Sequence, residues 1–201
     1  MTTENKGKIA VIVEEHFDET EYRRFNQFFP ENGYDVEYVS NLWGQDSLTF
    51  NGNDHEEKVT VSIDFKDIQP ADYKGIILIG GYAMDRLRYQ VQVKPGQKNQ
   101  SPAVEFLRQA VVEMDNNNLN IGTICHSMWL FCADPEILKD RKVTCAHNIL
   151  CDVENAGGIV VYDQNGETAA TYIDGGLVSG RHPGVVEEFM EVFLAELNQK
   201  S

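Results

Sequence analysis

Cys125 stands where a strand pattern gives way to a helix pattern, which makes it a candidate nucleophile, and His126 beside it is expected as a polar residue at the rim of the pocket, because adjacent side chains on a turn diverge. The run Ile121-Gly122-Thr123-Ile124 predicts a buried strand, and Met128-Trp129-Leu130-Phe131 predicts a helix. A nucleophile on a sharp turn between strand and helix points into the crevice at the sheet edge. The positive end of the following helix favours the thiolate, so the pattern predicts a lowered pKa at Cys125. A buried structural cysteine is the alternative, because free cysteine is among the most buried residue types.

The other three cysteines, Cys132, Cys145 and Cys151, lack such a context and are expected to pack in the core. None of the four cysteines forms a Cys-x-x-Cys pair, so the sequence predicts no structural zinc site. Residues 1–6 are not followed by the apolar segment of a secretory signal. We therefore expect reduced thiols and a cytoplasmic protein.

The composition is that of a globular protein with an acidic surface. The chain has 201 residues, with 17 Lys and Arg against 32 Asp and Glu, and a formal net charge of −15. A surface of this charge repels phosphate, so direct binding to nucleic acid or to anionic lipid is not expected. The longest purely aliphatic run, residues 76–79, is far shorter than the roughly 20 residues of a membrane span, so no membrane partner is expected.

The first half of the chain alternates strand and helix patterns. Strands are predicted at residues 8–13, 34–39, 59–63 and 75–79. A helix is predicted at residues 19–29, stopping at Pro30. Residues 41–58 are polar and rich in Gly and Asn, which predicts a long loop, and residues 92–101 predict a surface excursion.

The second half continues the alternation. A helix is predicted from Pro102 until the asparagines at 116–118, and another over residues 147–156. Strands are predicted at residues 121–124, near 143, at 159–161 and at 177–178. The last helix is expected to bury one apolar stripe, made of Val186, Phe189, Met190, Phe193 and Leu197.

Aliphatic strands that alternate with amphipathic helices predict a mostly parallel sheet covered on both faces, which is a three-layer α/β sandwich. We expect a single domain over residues 1–201. Ligands of such sheets bind beyond the carboxyl ends of the strands. Three strand ends are therefore candidates for one site: residues 14–18, Gly80-Gly81 and Cys125-His126.

Three ordered motifs give the chain a resemblance to the ThiJ/PfpI superfamily. They are Ile124-Cys125-His126, Gly80-Gly81, and Ser179-Gly180-Arg181-His182-Pro183-Gly184. Residues 80–88 resemble the PfpI branch in particular, and the similarity runs from about Lys8 to Leu197. That superfamily includes archaeal intracellular proteases, bacterial glyoxalase and deglycase-type stress proteins, and the human parkinsonism-linked protein. The resemblance implies a flavodoxin-like fold, similar to class I glutamine amidotransferase domains, with a nucleophile elbow.

The resemblance places the family's nucleophile on Cys125. It implies that His126 is oriented by an acid from a second subunit, and hence that the protein is a homo-oligomer, a dimer or larger. That acid falls on Asp85, where the protease-like branch has Glu. A solvated charge beside Arg86 and Arg88 is the alternative for Asp85.

The family also places a carboxylic acid, usually Glu, beside the sulfur. It falls on Asp18, with Glu19 as the nearest substitute. A protonated acid there can donate to the thiolate and stabilise it. Asp18 followed by Glu21 also fits a helix N-cap with a capping-box partner, and the two roles are compatible.

The remaining candidates are groups that could bind substrate. The backbone N–H groups of Gly80, Gly81 and His126 can face an oxyanion, although a glycine pair after a strand also fits a tight turn. Glutamine amidotransferases take their base from a His-Pro pair like that of His182, but Gly184 stands where they have an acid. His182 is therefore expected at the edge of the pocket. His147 is the remaining substrate-contact candidate, next to an alanine where the PfpI branch tends to have tyrosine.

The resemblance thus implies a cysteine-nucleophile hydrolase or lyase that needs no cofactor or metal. Its substrate would be a small electrophile, such as a reactive aldehyde, a glyoxal-like dicarbonyl or an early glycation adduct, or else an amide or peptide. An isocyanide hydratase is a variant, because that branch has Asp for the family's Glu, although it has Thr where His126 stands. The other class is an oxidative-stress sensor or chaperone in which Cys125 is oxidised. The sequence leaves these alternatives open.

Overall fold

Seven strands form one central sheet. The computed structural model describes residues 5–89 and 95–200. The strands of the sheet are β1 (Gly7–Ile12), β2 (Tyr34–Ser40), β5 (Ile63–Asp64), β6 (Gly75–Leu78), β7 (Asn120–Ile124), β10 (Thr171–Asp174) and β11 (Leu177–Gly180). Their order is β10-β11-β7-β6-β1-β2-β5, and all neighbours are parallel except β10 and β11. The inner order β2-β1-β6-β7-β11 is that of flavodoxin-like folds, as predicted.

Two small sheets lie outside this one. Strands β3 (Leu48–Asn51) and β4 (Lys58–Val61) form an antiparallel pair, and β8 (Lys142–Val143) and β9 (Ile159–Val160) form a parallel pair.

Helices flank the sheet and complete the α/β sandwich. They are α1 (Glu19–Glu31), α2 (Ala83–Leu87), α3 (Pro102–Asp115), α4 (Trp129–Cys132), α5 (Pro135–Leu138), α6 (Leu150–Asn155) and α7 (Val186–Gln199). Helix α7 buries the predicted stripe, and its rings Phe189 and Phe193 stack at 5.9 Å between centroids. A Cβ on Gly122 would lie 2.7 Å from the Phe189 ring, so a glycine there lets the helix approach the sheet. None of the helices in the described part of the chain is long and apolar enough to cross a bilayer.

The structure differs from the sequence expectations mainly in the first half of the chain. Helix α1 continues through Pro30 to Glu31, because a proline in the last turn removes only one backbone hydrogen bond. The expected loop at 41–58 contains β3, whose pairing with β4 includes a 2.8 Å hydrogen bond between Thr49 and Thr60. The strand expected at 59–63 divides between β4 and β5.

Two other segments, β10 and residues 92–101, are compared with what the sequence predicted. The antiparallel edge strand β10 was not predicted from the sequence. Of the surface excursion expected at 92–101, residues 92–94 lie outside the described residues, and residues 95–101 form no helix or strand.

Candidate active site

Cys125 directly follows β7 and turns the chain sharply at the carboxyl edge of the sheet. Its φ angle is 60°, in the left-handed region that residues other than glycine rarely adopt. The turn is fixed on both sides, because its N–H donates to the Gly180 carbonyl at 3.0 Å and its carbonyl accepts from Ala146 at 3.2 Å. The side chain is buried, with 6% of the residue exposed. Backbone strain held in place by surrounding hydrogen bonds is typical of functional sites.

His126 lies against the thiol. Its Nδ1 atom is 3.6 Å from the Cys125 sulfur, and its Nε2 atom is 2.7 Å from Oδ1 of Asn148. The imidazole packs against two aromatic rings, with centroids 5.4 Å from Tyr82 and 5.1 Å from Trp129, and these two rings also contact each other, with centroids 6.3 Å apart. These ring contacts restrict rotation of the imidazole, and each ring nitrogen has a defined partner.

Trp129 is held in turn by charged neighbours. Its indole N–H donates to Asp152 at 2.7 Å, and the Arg88 guanidinium lies over its ring, 4.9 Å from the centroid. A cation over an indole face is attracted by the ring quadrupole. The wall of the site is therefore a stack of His126 and Trp129, with Tyr82 packed against both rings and Arg88 over Trp129.

Two carboxyl groups approach the site from the start of α1. Asp18 caps the helix, since its Oδ1 atom accepts from the Glu21 N–H at 2.9 Å. Glu21 does not complete the predicted capping box. The Asp18 N–H donates instead to the Gly80 carbonyl at 3.1 Å, and Glu21 Oε2 accepts from the Gly80 N–H at 2.6 Å. Glu21 is thereby turned inward, toward Cys125.

Glu21 is the acid with the larger influence on the thiol. It is fully buried, and burial together with the Asp18 charge raises its pKa well above the usual range, which favours the protonated form. Its Oε1 atom has no hydrogen-bond partner among the described residues. A Cβ on Gly80 would lie 2.5 Å from that oxygen and 3.0 Å from the Cys125 Cβ, which explains the glycine between them. Asp18, whose pKa burial also raises, has a smaller effect on Cys125.

The thiol does not have the lowered pKa expected from the sequence. Burial, followed by the nearby carboxyl group of Glu21, raises the pKa of Cys125 to about 12. The opposing contribution of a helix is small because α4 begins only at Trp129 and has four residues. The resting group is therefore a thiol, and it needs a base for activation.

The three N–H groups expected to face an oxyanion have different partners. The backbone N–H groups of Gly81 and His126 act on the Cys125 thiol and oppose the rise of its pKa, which burial outweighs. The Gly80 N–H is occupied by Glu21, which corrects the expectation that it faces the substrate. Gly81 has φ 71°, and a Cβ there would lie 2.3 Å from the His16 carbonyl oxygen, so only glycine fits this turn.

Asp85 is not brought to His126 within the chain. Its Oδ1 atom accepts from Arg88 at 2.8 Å, and about half of its side chain is exposed. It lines a separate surface pocket with Glu14, Trp43 and Arg86. The geometry in one chain is that of a solvated charge beside arginine.

Cys125 and His126 open into a cleft of about 690 Å³. Asp18, Gly81, His147 and His182 also line it, so the three strand ends meet as expected. His182 is exposed at the rim, and its Nδ1 atom accepts from the Gly184 N–H at 3.0 Å. Within residues 5–89 and 95–200, no group of three His, Cys, Asp or Glu side chains is arranged to hold a metal ion.

Four contacts of the Cys125–His126 pair were missed from the sequence. They are made by Glu21, Tyr82, Trp129 and Asn148. Tyr82 follows the Gly80-Gly81 turn and Trp129 stands three residues after His126, so strand-end position and helical spacing could have suggested both. Asn148 carries no local signal, because it comes from a distant segment of the chain.

Comparison with known proteins gives the family. The model of the DJ-1/PfpI family matches residues 7–196. A protein of Staphylococcus haemolyticus is 25% identical over 190 residues, which cover 94% of this chain and 97% of that protein. A protein of Staphylococcus aureus is 24% identical over 190 residues, covering 94% and 98%. Both relatives bear the description "uncharacterized protein".

Solved structures show the same fold. A ThiJ/PfpI domain protein from Brachyspira murdochii has a TM-score of 0.77 at 15% identity, covering 98% of this chain and 99% of its own. DJ-1 of Schizosaccharomyces pombe has a TM-score of 0.71 at 18% identity, covering 96% of each. A protein of Anabaena variabilis with DJ-1/ThiJ/PfpI-like and ferritin-like domains has a TM-score of 0.80 at 18% identity, and covers 98% of this chain. This chain spans about half the length (49%) of that two-domain protein. With nearly its whole length matched by the family model, the chain belongs to the DJ-1/PfpI family.

Proposed function

We propose that this protein is a cofactor-independent enzyme in which Cys125 attacks a small reactive carbonyl compound, such as a glyoxal-like dicarbonyl or an early glycation adduct. The observation that carries the proposal is the 3.6 Å approach of His126 Nδ1 to the Cys125 sulfur at the wall of a cleft. A nucleophile within reach of a base that is itself oriented by a third group is the general pattern of covalent catalysis.

The state of the thiol favours an enzyme over a redox sensor. Oxidation by peroxide requires an exposed thiolate. Cys125 is 6% exposed, and burial raises its pKa to about 12, so little thiolate is present at neutral pH. A base-assisted attack needs the thiolate only as the new bond forms, because the proton passes to His126 in the same step.

The chemistry on a 2-oxoaldehyde balances without an external oxidant. The sulfur bonds to the aldehyde carbon, C1, while the thiol proton passes to Nδ1 of His126 and the carbonyl π electrons move to oxygen. We assign to the N–H groups of Gly81 and His126, which act on the sulfur in the resting thiol, the stabilisation of the developing oxyanion. C1 next loses its hydrogen as a proton, the C–H electron pair moves between C1 and C2, and the C2 oxygen takes the proton held by His126. The proton lost from C1 then returns to C2 while the oxyanion electrons form the C1 carbonyl of a thioester, so C1 is oxidised and C2 is reduced. Water adds to the resulting thioester, its hydroxyl staying on C1 and its proton returning to the sulfur, and a 2-hydroxy acid leaves.

The size of the cleft supports substrates larger than a free dicarbonyl. About 690 Å³ is within the range of pockets that enclose drug-sized molecules. His147, Arg181 and His182 supply polar groups along it. A carbonyl carried on a sugar or amino-acid residue suits this space. Amide or peptide hydrolysis by the same thiol and imidazole is the second candidate. The volume of the cleft favours it too, because the cleft is larger than a free dicarbonyl needs.

The test is turnover of methylglyoxal and of a fluorogenic peptide by matched variants. Cys125→Ser is expected to abolish turnover, and His126→Ala to lower it by roughly 10²–10⁴-fold. Cys151→Ser is the control, because Cys151 is exposed and does not line the cleft. Consumption of methylglyoxal at one background rate by all proteins would remove the carbonyl proposal. If the protein cleaves the peptide but does not consume methylglyoxal above background, amide or peptide hydrolysis is the supported function.

A further inference from the structure

We propose that Asn148 is a positioning residue that fixes the tautomer of His126 and so completes the thiol–imidazole pair within a single chain. Asn148 belongs to the short 3-10 turn His147–Ile149 that leads into α6, and its side-chain oxygen lies 2.7 Å from His126 Nε2. The inference rests on the proposed function of Cys125 and His126. It assigns to Asn148 the part that the family resemblance gives to an acid from a second subunit.

The chemistry of the amide decides the tautomer. A side-chain amide oxygen carries no proton, so the hydrogen bond requires that Nε2 of His126 donates. In the neutral imidazole the other nitrogen, Nδ1, then has a free electron pair. That nitrogen is the one 3.6 Å from the Cys125 sulfur. Asn148 thus leaves the basic nitrogen facing the thiol.

An amide also differs from a carboxylate in its charge. A carboxylate in the same place would add a negative charge beside the imidazole, whereas the amide is neutral. Asn148 orients the ring without adding charge.

The same segment of chain fixes the stacking partner of His126. Asp152, four residues after Asn148, accepts the indole N–H of Trp129 at 2.7 Å. Trp129 and His126 are nearly parallel, with 14° between their planes. Two hydrogen bonds from one segment therefore hold both rings, which limits rotation of the imidazole away from the sulfur.

The candidate acid has other partners. Both Nε and a terminal nitrogen of Arg88 donate to Oδ1 of Asp85, at 3.1 and 2.8 Å. Arg88 lies over Trp129, so Asp85 supports the far side of the stack and does not contact His126 in the chain. The single-chain arrangement therefore predicts that His126 keeps its tautomer without Asp85.

The test reads the tautomer directly by NMR of protein labelled with ¹⁵N at histidine, in the wild type and in Asn148→Ala, Asp85→Ala and Asn116→Ala. Long-range ¹H–¹⁵N spectra distinguish Nδ1–H from Nε2–H imidazoles, and His126→Ala assigns the signal among the five histidines. We expect the Nε2–H form in the wild type, its loss or mixing in Asn148→Ala, and no change in Asp85→Ala. Asn116 is an exposed asparagine that caps the end of α3, just before the start of β7. It lies away from the cleft and serves as the matched control.

Kinetics separates positioning from a merely structural role. Asn148→Ala is expected to lower kcat on the order of 100-fold with KM little changed. Asn148→Asp is expected to restore the orientation and to move the acidic limb of the pH–rate profile to higher pH. An unchanged tautomer in Asn148→Ala, or a changed one in Asp85→Ala, would overturn the inference. If Cys125→Ser retains turnover while Asn148→Ala loses the Nε2–H tautomer, the proposed function fails and the positioning role stands.

Discussion

The imidazole of His126 lies 3.6 Å, measured from Nδ1, from the sulfur of Cys125, although the two side chains leave adjacent residues. Neighbouring side chains on a turn are expected to diverge. Here the left-handed backbone at Cys125 and the two aromatic rings around His126 bring both groups to the same wall of the cleft. The site therefore contains a buried thiol and a base that can reach it.

Alkylation of Cys125 by iodoacetamide tests the state of the thiol. Because burial raises its pKa to about 12, the thiolate fraction, and with it the rate, is expected to rise about tenfold per pH unit from pH 7 to about pH 11. The measurement is the mass shift of the Cys125 peptide after timed quenching. The urea-unfolded protein is the control, and its rate is expected to level off above the ordinary cysteine pKa of about 8.5. A plateau below pH 8 in the folded protein would contradict the buried-thiol account.

Mild peroxide gives a second test of the same group. Sulfenic acid forms from thiolate, so Cys125 is expected to oxidise more slowly at pH 7 in the folded than in the urea-unfolded protein. The ratio of the two rates is read from the oxidised fraction of the Cys125 peptide. Faster oxidation in the folded protein would instead support the sensor that the sequence left open.

Glu21→Gln is expected to increase stability progressively as the pH rises above about 4.5. A glutamate in the unfolded chain ionises near its ordinary value of 4.5, whereas burial raises the pKa of folded Glu21 well above that value and keeps it protonated. The folded state then holds a proton that the unfolded state has released, so the wild type loses up to about 1.4 kcal/mol per pH unit until the raised pKa is reached. Glutamine avoids this loss. Urea unfolding of both proteins between pH 4 and 8 measures it, and a difference in unfolding free energy that does not change with pH would rule out a protonated Glu21.

Gly81→Ala is expected to destabilise the fold more than Gly166→Ala. Both glycines have positive φ, 71° and 79°, so both substitutions carry a similar backbone strain. Only Gly81 also faces backbone atoms, at 2.3 and 2.6 Å from the new Cβ, while Gly166 has open space. The extra cost should be about 1–3 kcal/mol, as for other forced overpacking. Equal unfolding free energies for the two variants would show that residues 16–18 can move away from the turn.

The meeting of the three strand ends could be predicted from the sequence, because buried parallel strands fix where their carboxyl ends lie. The role of Glu21 could not be. Its spacing after Asp18 indicated a local capping box, but the Asp18 N–H pairs with Gly80, far away in sequence, and frees Glu21 to turn inward. Local spacing cannot reveal a competing long-range hydrogen bond.

Two further features could not be predicted from the sequence: the raised pKa of Cys125 and the contact of Asn148 with His126. The expected thiolate depended on a helix that proves to be four residues long and to start four residues after the sulfur. Burial therefore outweighs the helix. Asn148 reaches His126 across 22 residues of chain, and nothing in the intervening sequence marks the contact.

The most direct test of the central claim is ¹³C NMR of the protein with acetaldehyde labelled at the carbonyl carbon. The comparison is between Cys151→Ser, in which the exposed thiol is removed, and the double variant Cys125→Ser/Cys151→Ser. Acetaldehyde has no second carbonyl, so attack stops at the thiohemiacetal. We predict a protein-bound thiohemiacetal resonance in the single variant and its absence in the double variant. The same spectrum from both proteins, with or without that resonance, would contradict nucleophilic attack by Cys125.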